Sequence, residues 1–218
     1  MNRKPDDVLG KVEKYTEESK IRVFICGGGS KVSSEFTKDA YNVGRMLADS
    51  NVAYGQGGEI ARDTIMGESW YGYQENGGAS SYFFVREVGA PDLKAAKLSA
   101  KGFTYVSDIS SLIKAQFLWS DIVIIMPGGT GTFIELLSYI ELGYDFEDKK
   151  PKVIIYNKEL ENGIHFYDKL LEQIRIEQKK GFIVSDVISN TFAIANNFDE
   201  LKREYYNALS VINRNRLI

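Results

Sequence analysis

The sequence predicts an α/β fold of the Rossmann-like type, in which helices cover both faces of a doubly wound parallel sheet. Apolar, β-rich segments alternate along the chain with segments of helical periodicity, which is typical of parallel sheets with right-handed crossovers. The clearest strand, residues 121–126, is apolar on both faces, as a central parallel strand requires. Three predicted strands end in glycine clusters, which are therefore expected to line one cleft at the carboxyl edge of the sheet.

The composition favours a single globular domain and leaves a small anionic ligand possible. The chain has 218 residues, of which 44% are hydrophobic, and this is enough for one domain with a full core. We assign residues 1–20 to an amphipathic helical extension and residues 21–218 to a single nucleotide-binding domain. The formal net charge is −3, so no bulk basic field indicates a nucleic-acid partner.

The sequence also excludes several classes of site and location. The N-terminal segment lacks the apolar stretch of a signal peptide, and no apolar run approaches the roughly 20 residues of a membrane span. The single cysteine, Cys26, excludes a disulfide framework and suits a reducing compartment. With one cysteine and one histidine we expect no metal site. No recognisable lysine site for pyridoxal phosphate is present, so we predict no cofactor and a cytoplasmic protein without a membrane partner.

The first half of the chain predicts three strands and two helices. Ile21–Cys26 is β-rich and ends in Gly27-Gly28-Gly29-Ser30, the way a phosphate-binding βα loop begins. Helical periodicity runs from Ser33 to Ser50. A short strand over 51–54 is closed by a second glycine cluster that includes Gly57 and Gly58, and a helix is predicted over 60–73. A third strand, over 81–85, follows an Asn-Gly-Gly turn.

The second half continues the alternation after a long connection over 89–106, which is interpreted as a lid. Two aromatic residues there, Phe103 and Tyr105, offer a surface on which a purine could stack. Asp108 is expected to cap a helix that reaches Leu118, before the central strand over 121–126. A helix through Phe133 and Leu142 follows the glycine loop. Strands over 153–156 and 191–195 flank a helix over 166–178, and Asp199 begins the last helix.

The motif with the most chemical content is the loop Pro127-Gly128-Gly129-Thr130-Gly131-Thr132 between a strand and a helix. Glycines permit positive φ and close approach of the backbone to a ligand. Amide groups at a helix N-terminus favour phosphate, and two threonines can add hydroxyl donors. A tight turn without a ligand is the alternative. Glu135 is placed in the first helical turn, where it either compensates the helix dipole or directs a carboxylate into the cleft.

Residues 127–135 match PGGxGTxxE, and on this motif the chain resembles the LONELY GUY family of cytokinin riboside 5′-monophosphate phosphoribohydrolases. The first and second glycine clusters are similar to the family's as well. The resemblance implies a Rossmann-like fold, a homodimer or higher homo-oligomer, and hydrolysis of the N-glycosidic bond of a nucleotide. It also implies a nucleotide or phosphoribosyl ligand, with Glu135 as the catalytic glutamate. The expected binding residues are Gly27, Gly28, Gly57, Gly58, Gly128, Gly129, Thr130, Gly131 and Thr132.

The chain departs from the family pattern in two places. The second glycine loop continues with residues 59–63, Glu-Ile-Ala-Arg-Asp, where the family has a glycine-rich stretch. The family's Arg-Lys pair on the helix before the central strand aligns with Leu112 and Ile113. Arg62 and Lys114 are the candidate replacement cations, although each is equally interpretable as a surface residue. Two functions therefore stay open. The chain is either a phosphoribohydrolase or a protein that binds a nucleotide-like ligand without cleaving it; a structural oligomer is a third reading.

Overall fold

The computed structural model describes residues 20–86, 100–145, 150–183 and 191–216. Apart from Lys20, the predicted N-terminal extension lies outside these ranges, as do residues 89–99 of the predicted connection. Seven strands form the sheet: β1 (Arg22–Cys26), β2 (Ala53–Gln56), β3 (Ser81–Arg86), β4 (Gly102–Val106), β5 (Ile122–Ile125), β6 (Lys152–Tyr156) and β7 (Phe192–Ala195). Within the described ranges, six helices surround it: α1 (Ser34–Asp49), α2 (Ile65–Glu75), α3 (Ile109–Trp119), α4 (Thr130–Asp145), α5 (Asp168–Lys179) and α6 (Phe198–Arg216).

The sheet is parallel throughout, with the strand order β4-β3-β2-β1-β5-β6-β7. The chain moves outward from β1 to β4 and then returns to place β5 on the other side of β1. The order thus reverses between β1 and β5, and open α/β sheets bind ligands at such a reversal. The predicted fold class is confirmed.

Two apolar layers cover the two faces of the sheet. On one face, the strands pack against residues of α1, α2 and α6, such as Leu47, Trp70 and Tyr205. On the other face they pack against residues of α3, α4 and α5, such as Phe117 and Tyr139. All four residues of β5 are buried, because this strand lies between two neighbours and under both layers. A strand buried on both faces requires apolar residues at every position, and β5 has them.

Local sequence explains where two of the helices begin. The hydroxyl of Thr64 accepts a hydrogen bond from the amide of Gly67 at 3.0 Å, so α2 starts at residue 65 and not at the predicted residue 60. The carboxylate of Asp108 accepts from the amide of Ser111 at 2.8 Å, as the sequence predicted for α3. Each side chain satisfies an amide that has no acceptor inside its own helix.

Two predictions about elements were wrong. The predicted connection includes β4, an edge strand whose residues alternate between buried and more exposed positions. Phe103 stacks on Phe83 with ring centroids 5.2 Å apart, so it packs against the sheet and is not a free platform for a base. Glu135 lies on the second turn of α4 and not on the first, because the helix already begins at Thr130.

Candidate functional site

A cavity of about 660 Å³ opens at the carboxyl edge of the sheet, beside the reversal between β1 and β5. Residues that follow β1, β2 and β5 line it together with the end of β3 and parts of α2, α3 and α4. This volume is in the range of cavities that hold small organic ligands. All three predicted glycine clusters contribute, through Gly27, Gly28, Gly57, Gly128, Gly129 and Gly131.

The loop after β5 presents unpaired backbone amides to this cavity. The amide of Phe133 donates to the carbonyl of Gly129 at 3.2 Å, and this is the first bond of α4. Within the part of the chain that the structure describes, residues 129–132 donate no such bond. A Cβ atom built on Gly129 or Gly131 would meet nothing within 4 Å. The loop is therefore open, and its amides stand at the positive end of a 16-residue helix.

Gly128 serves close packing, and no glycine of this loop has an unusual backbone angle. None of residues 128, 129 and 131 has positive φ, contrary to the sequence-based expectation. A Cβ atom on Gly128 would instead lie 2.1 Å from the hydroxyl oxygen of Thr132. Glycine is needed there so that the buried threonine can fold back against the loop.

The first glycine cluster is hydrogen-bonded to the loop after β5. The amide of Gly28 donates to the carbonyl of Pro127 at 3.1 Å, and the carbonyl of Gly28 accepts from the amide of Ile65 at 3.0 Å. One residue thus joins the loops after β1 and β5 to the start of α2. Because that start already has a protein acceptor, the N-terminus of α4 is the better candidate for an anion.

Glu135 lies in the cavity wall one turn beyond the loop and is partly buried. Burial raises the pKa of its carboxyl group from 4.5 to about 7, while the neighbouring Cys26 thiol and Gln116 amide act in the opposite direction. A carboxyl group with such a pKa exchanges a proton near neutral pH, which is typical of functional sites.

A buried polar network surrounds this carboxyl group. The Tyr139 hydroxyl donates to Oε1 of Gln116 at 3.2 Å and lies 3.4 Å from Sγ of Cys26. Nε2 of Gln116 has no partner at hydrogen-bonding distance in the described ranges, so its interaction with Glu135 is a longer one. Burial raises the pKa of Cys26 well above its ordinary value. The groups that act on Glu135 are therefore neutral, and none of them is a cation.

Leu112 lies where the resemblance would place arginine, and it lines the cavity as a buried apolar residue. The two predicted substitutes do not line the cavity. The Arg62 guanidinium bonds to Glu75 and to Glu68 and stacks on Tyr71, while Lys114 is exposed elsewhere on α3. Gly58 is likewise not part of the cavity wall.

Among the cavity residues that sequence reasoning missed, Arg86 and Gln116 carry polar side chains suited to bind a ligand. Arg86 is the last residue of β3, directly after a strand that the sequence did predict, so its position at the carboxyl edge was a usable signal. Gln116 follows Leu112 by one helical turn and shares its face. No signal marked it, since an amide in an apolar helix is equally a surface residue.

The described ranges contain no group of three His, Cys, Asp or Glu residues arranged to hold a metal ion. No helix in these ranges has both the length and the apolar character needed to cross a membrane. The parallel sheet, the glycine loop at a helix N-terminus and the cavity at the strand reversal define a Rossmann-like α/β protein of a nucleotide-related fold.

Residues 99–205 match the family model described as "Possible lysine decarboxylase". This segment contains the glycine loop and Glu135. The match and the shared fold are consistent with a divergent LONELY GUY-like member of this family, in agreement with the resemblance in the sequence. No curated protein matches the chain.

Solved structures with low sequence identity share the fold. The molybdenum cofactor carrier protein of Chlamydomonas reinhardtii is 15% identical with a TM-score of 0.61, over 88% of this chain and 99% of that one. The molybdenum cofactor binding protein of Rippkaea orientalis is 18% identical with a TM-score of 0.58, over 87% and 98%. DNA processing protein A of Helicobacter pylori, which binds single-stranded DNA, is 12% identical with a TM-score of 0.55, over 87% and 82%.

Proposed function

We propose that this chain binds a nucleotide-like phosphate compound, with the phosphate on the amides of residues 129–132. The observation that carries this proposal is that residues 129–132 line a cavity of about 660 Å³ and that, within the described ranges, their amides donate no backbone hydrogen bond. Such a helix end favours an anion through its unpaired N–H groups and its dipole. Proteins of the same fold that carry or bind the molybdenum cofactor support a role in holding a ligand without cleaving it.

Equilibrium binding to inorganic phosphate, ribose 5-phosphate and AMP tests this proposal, with Gly129→Ala as the variant. The added methyl group meets no protein atom within 4 Å, so the fold is expected to keep its stability. It would nevertheless add bulk to a loop that lines the cavity, and we expect the affinity for all three compounds to fall at least about tenfold, or about 1.4 kcal/mol. Denaturant unfolding without ligand is the control for folding. Unchanged affinity in the variant, or no binding by the wild type, would contradict the proposal.

Hydrolysis of the N-glycosidic bond of a nucleoside 5′-monophosphate is the second candidate, and the position of Glu135 beside the loop favours it. Water would form a bond to C1′ of the ribose while the bond from C1′ to the base nitrogen breaks, and the base would take up a proton. The ionised Glu135 would stabilise the positive charge that develops on the ribose. Leu112 weighs against this candidate, since it supplies no cation to keep Glu135 ionised.

Release of free base from a panel of nucleoside monophosphates tests the second candidate. We expect the Glu135→Gln variant to lose the activity and a Glu141→Gln variant to keep it, because Glu141 is exposed on the same helix. The rate of base release is expected to rise as the pH passes through about 7, since the ionised form of Glu135 stabilises the positive ribose. If the wild type releases no base while it binds the nucleotides, the function is binding alone.

We also propose that the protein forms a homo-oligomer through α4. Ile134 and Leu137 are each 46% exposed on this helix, which is typical of a surface that another chain covers. Light scattering of the wild type and of Leu137→Asp tests this, with a shift toward the monomer expected in the variant. The cytoplasmic location stays a prediction from the sequence.

A further inference from the structure

Arg86 places a positive charge at the rim of the candidate site. It is the last residue of β3, it is exposed, and it lines the cavity. It forms no ion pair with any residue in the described part of the chain. An exposed guanidinium group in the wall of a ligand cavity can donate to a hydrogen-bond acceptor of the ligand.

The sheet fixes how far Arg86 stands from the phosphate-binding loop. The strands run in the order β3-β2-β1-β5, so three strand spacings separate the end of β3 from the end of β5. At about 4.8 Å each, these spacings add to about 14 Å. A nucleotide whose phosphate lies on residues 129–132 is long enough to extend toward Arg86, whose own side chain covers part of this distance.

The wall between the two ends suits a flat, uncharged group. Val85, Ile109 and Leu112 are apolar residues of the cavity wall, and the neighbours that act on Glu135 are neutral. The cavity therefore combines the glycine loop, apolar wall residues and a planar fork of donors. A guanidinium fork pairs best with two adjacent acceptors, such as O6 and N7 of guanine, while adenine presents one acceptor and one donor at the same edge.

We propose that Arg86 is a specificity residue that binds the acceptor edge of a 6-oxopurine, or of a heterocycle with the same pair of acceptors, in a ligand whose phosphate lies on residues 129–132. This inference rests on the proposed function, because the phosphate end must be bound for the far end to reach Arg86. It applies equally to a carrier and to a hydrolase, since both must recognise the heterocycle.

Calorimetric binding of GMP, AMP and ribose 5-phosphate tests the inference in the wild type, Arg86→Gln and Arg45→Gln. Arg45 is exposed on α1 and outside the cavity, so its variant controls for the loss of one positive charge. We expect the wild type to prefer GMP over AMP by about 5- to 100-fold, the range for one bidentate arginine contact. Arg86→Gln is expected to lose this preference and to bind ribose 5-phosphate as the wild type does. Arg45→Gln should keep the preference.

Two results would overturn the inference, and they differ in what else they affect. If GMP and AMP bind equally to the wild type, or if the preference survives in Arg86→Gln, Arg86 does not read the heterocycle, and the phosphate site is unaffected. If none of the three compounds binds, the proposed function fails and this inference fails with it.

Discussion

Replacing Glu135 with glutamine is expected to stabilise the protein at alkaline pH and to leave its stability almost unchanged at acidic pH. Burial raises the pKa of this carboxyl group in the folded protein from 4.5 to about 7. Between these two values the folded chain binds more protons than the unfolded chain, so stability falls as pH rises through this window. The free-energy cost of ionising Glu135 in the folded protein is absent below pH 4.5 and reaches its full size above about pH 7. Glutamine has a similar shape and never ionises.

The size of the effect follows from the shift of the pKa. Each unit corresponds to about 1.4 kcal/mol, and the change from 4.5 to about 7 gives about 3 kcal/mol as the upper value. The side chain is only partly buried and faces a cavity, where solvent screens part of this cost. We therefore expect the free energy of unfolding of Glu135→Gln to exceed that of the wild type by about 1–3 kcal/mol at pH 8.

Urea unfolding at pH 5 and pH 8 measures this difference, because the midpoint and slope give the free energy of unfolding at each pH. The matched control is Glu141→Gln, which removes an exposed carboxylate from the same helix. This variant is expected to change the free energy of unfolding by the same amount at pH 5 and at pH 8. A difference between Glu135→Gln and the wild type that is the same at both pH values would refute the reasoning. It would mean that Glu135 ionises in the folded protein as it does in the unfolded chain.

Two further variants test the packing that positions the site. Gly44→Ala is expected to lower the free energy of unfolding by about 1–3 kcal/mol, since its Cβ atom would lie very close to the carbonyl oxygen of Ser69 on α2. Gly131→Ala serves as the control, because its Cβ atom would meet nothing within 4 Å. Equal stability of the two variants would contradict the expected clash at Gly44. Tyr139→Phe leaves Oε1 of Gln116 without its donor, and we expect a loss of about 1–3 kcal/mol by urea unfolding, whereas wild-type stability would show that the network contributes nothing.

The parts of the site that sequence could predict are those set by neighbouring residues. The buried strand β5 and the glycines after it form one local unit, in which apolar residues precede a turn and a helix. The alternation of elements then placed the glycine clusters at one edge of the sheet. The helix start at Asp108 followed from a single capping side chain.

The parts that sequence could not predict depend on contacts between distant segments. Among the described strands, β4 lies at the edge of the sheet beside β3, and its residues carry no strong apolar run. The network from Cys26 through Tyr139 to Gln116 joins β1, α4 and α3. Its members are ordinary core residues until the fold brings them beside Glu135. Gly128 is a further example. Glycine is required at this position because of the nearby Thr132 hydroxyl and not because of a backbone angle, and the sequence alone does not show that contact.

The residue at position 112 determines which of the two proposed functions the carboxyl group can serve. Stabilising a positive ribose requires an ionised Glu135, and burial raises its pKa to about 7, so the carboxyl group is not fully ionised at neutral pH. An arginine at this buried position would favour the ionised form, since an opposite charge nearby lowers the pKa of a carboxyl group. Leucine leaves a neutral wall that suits a heterocycle better than a transition state with separated charges. A gain of nucleotide hydrolysis in Leu112→Arg, with none in Leu112→Met, is what this reasoning requires.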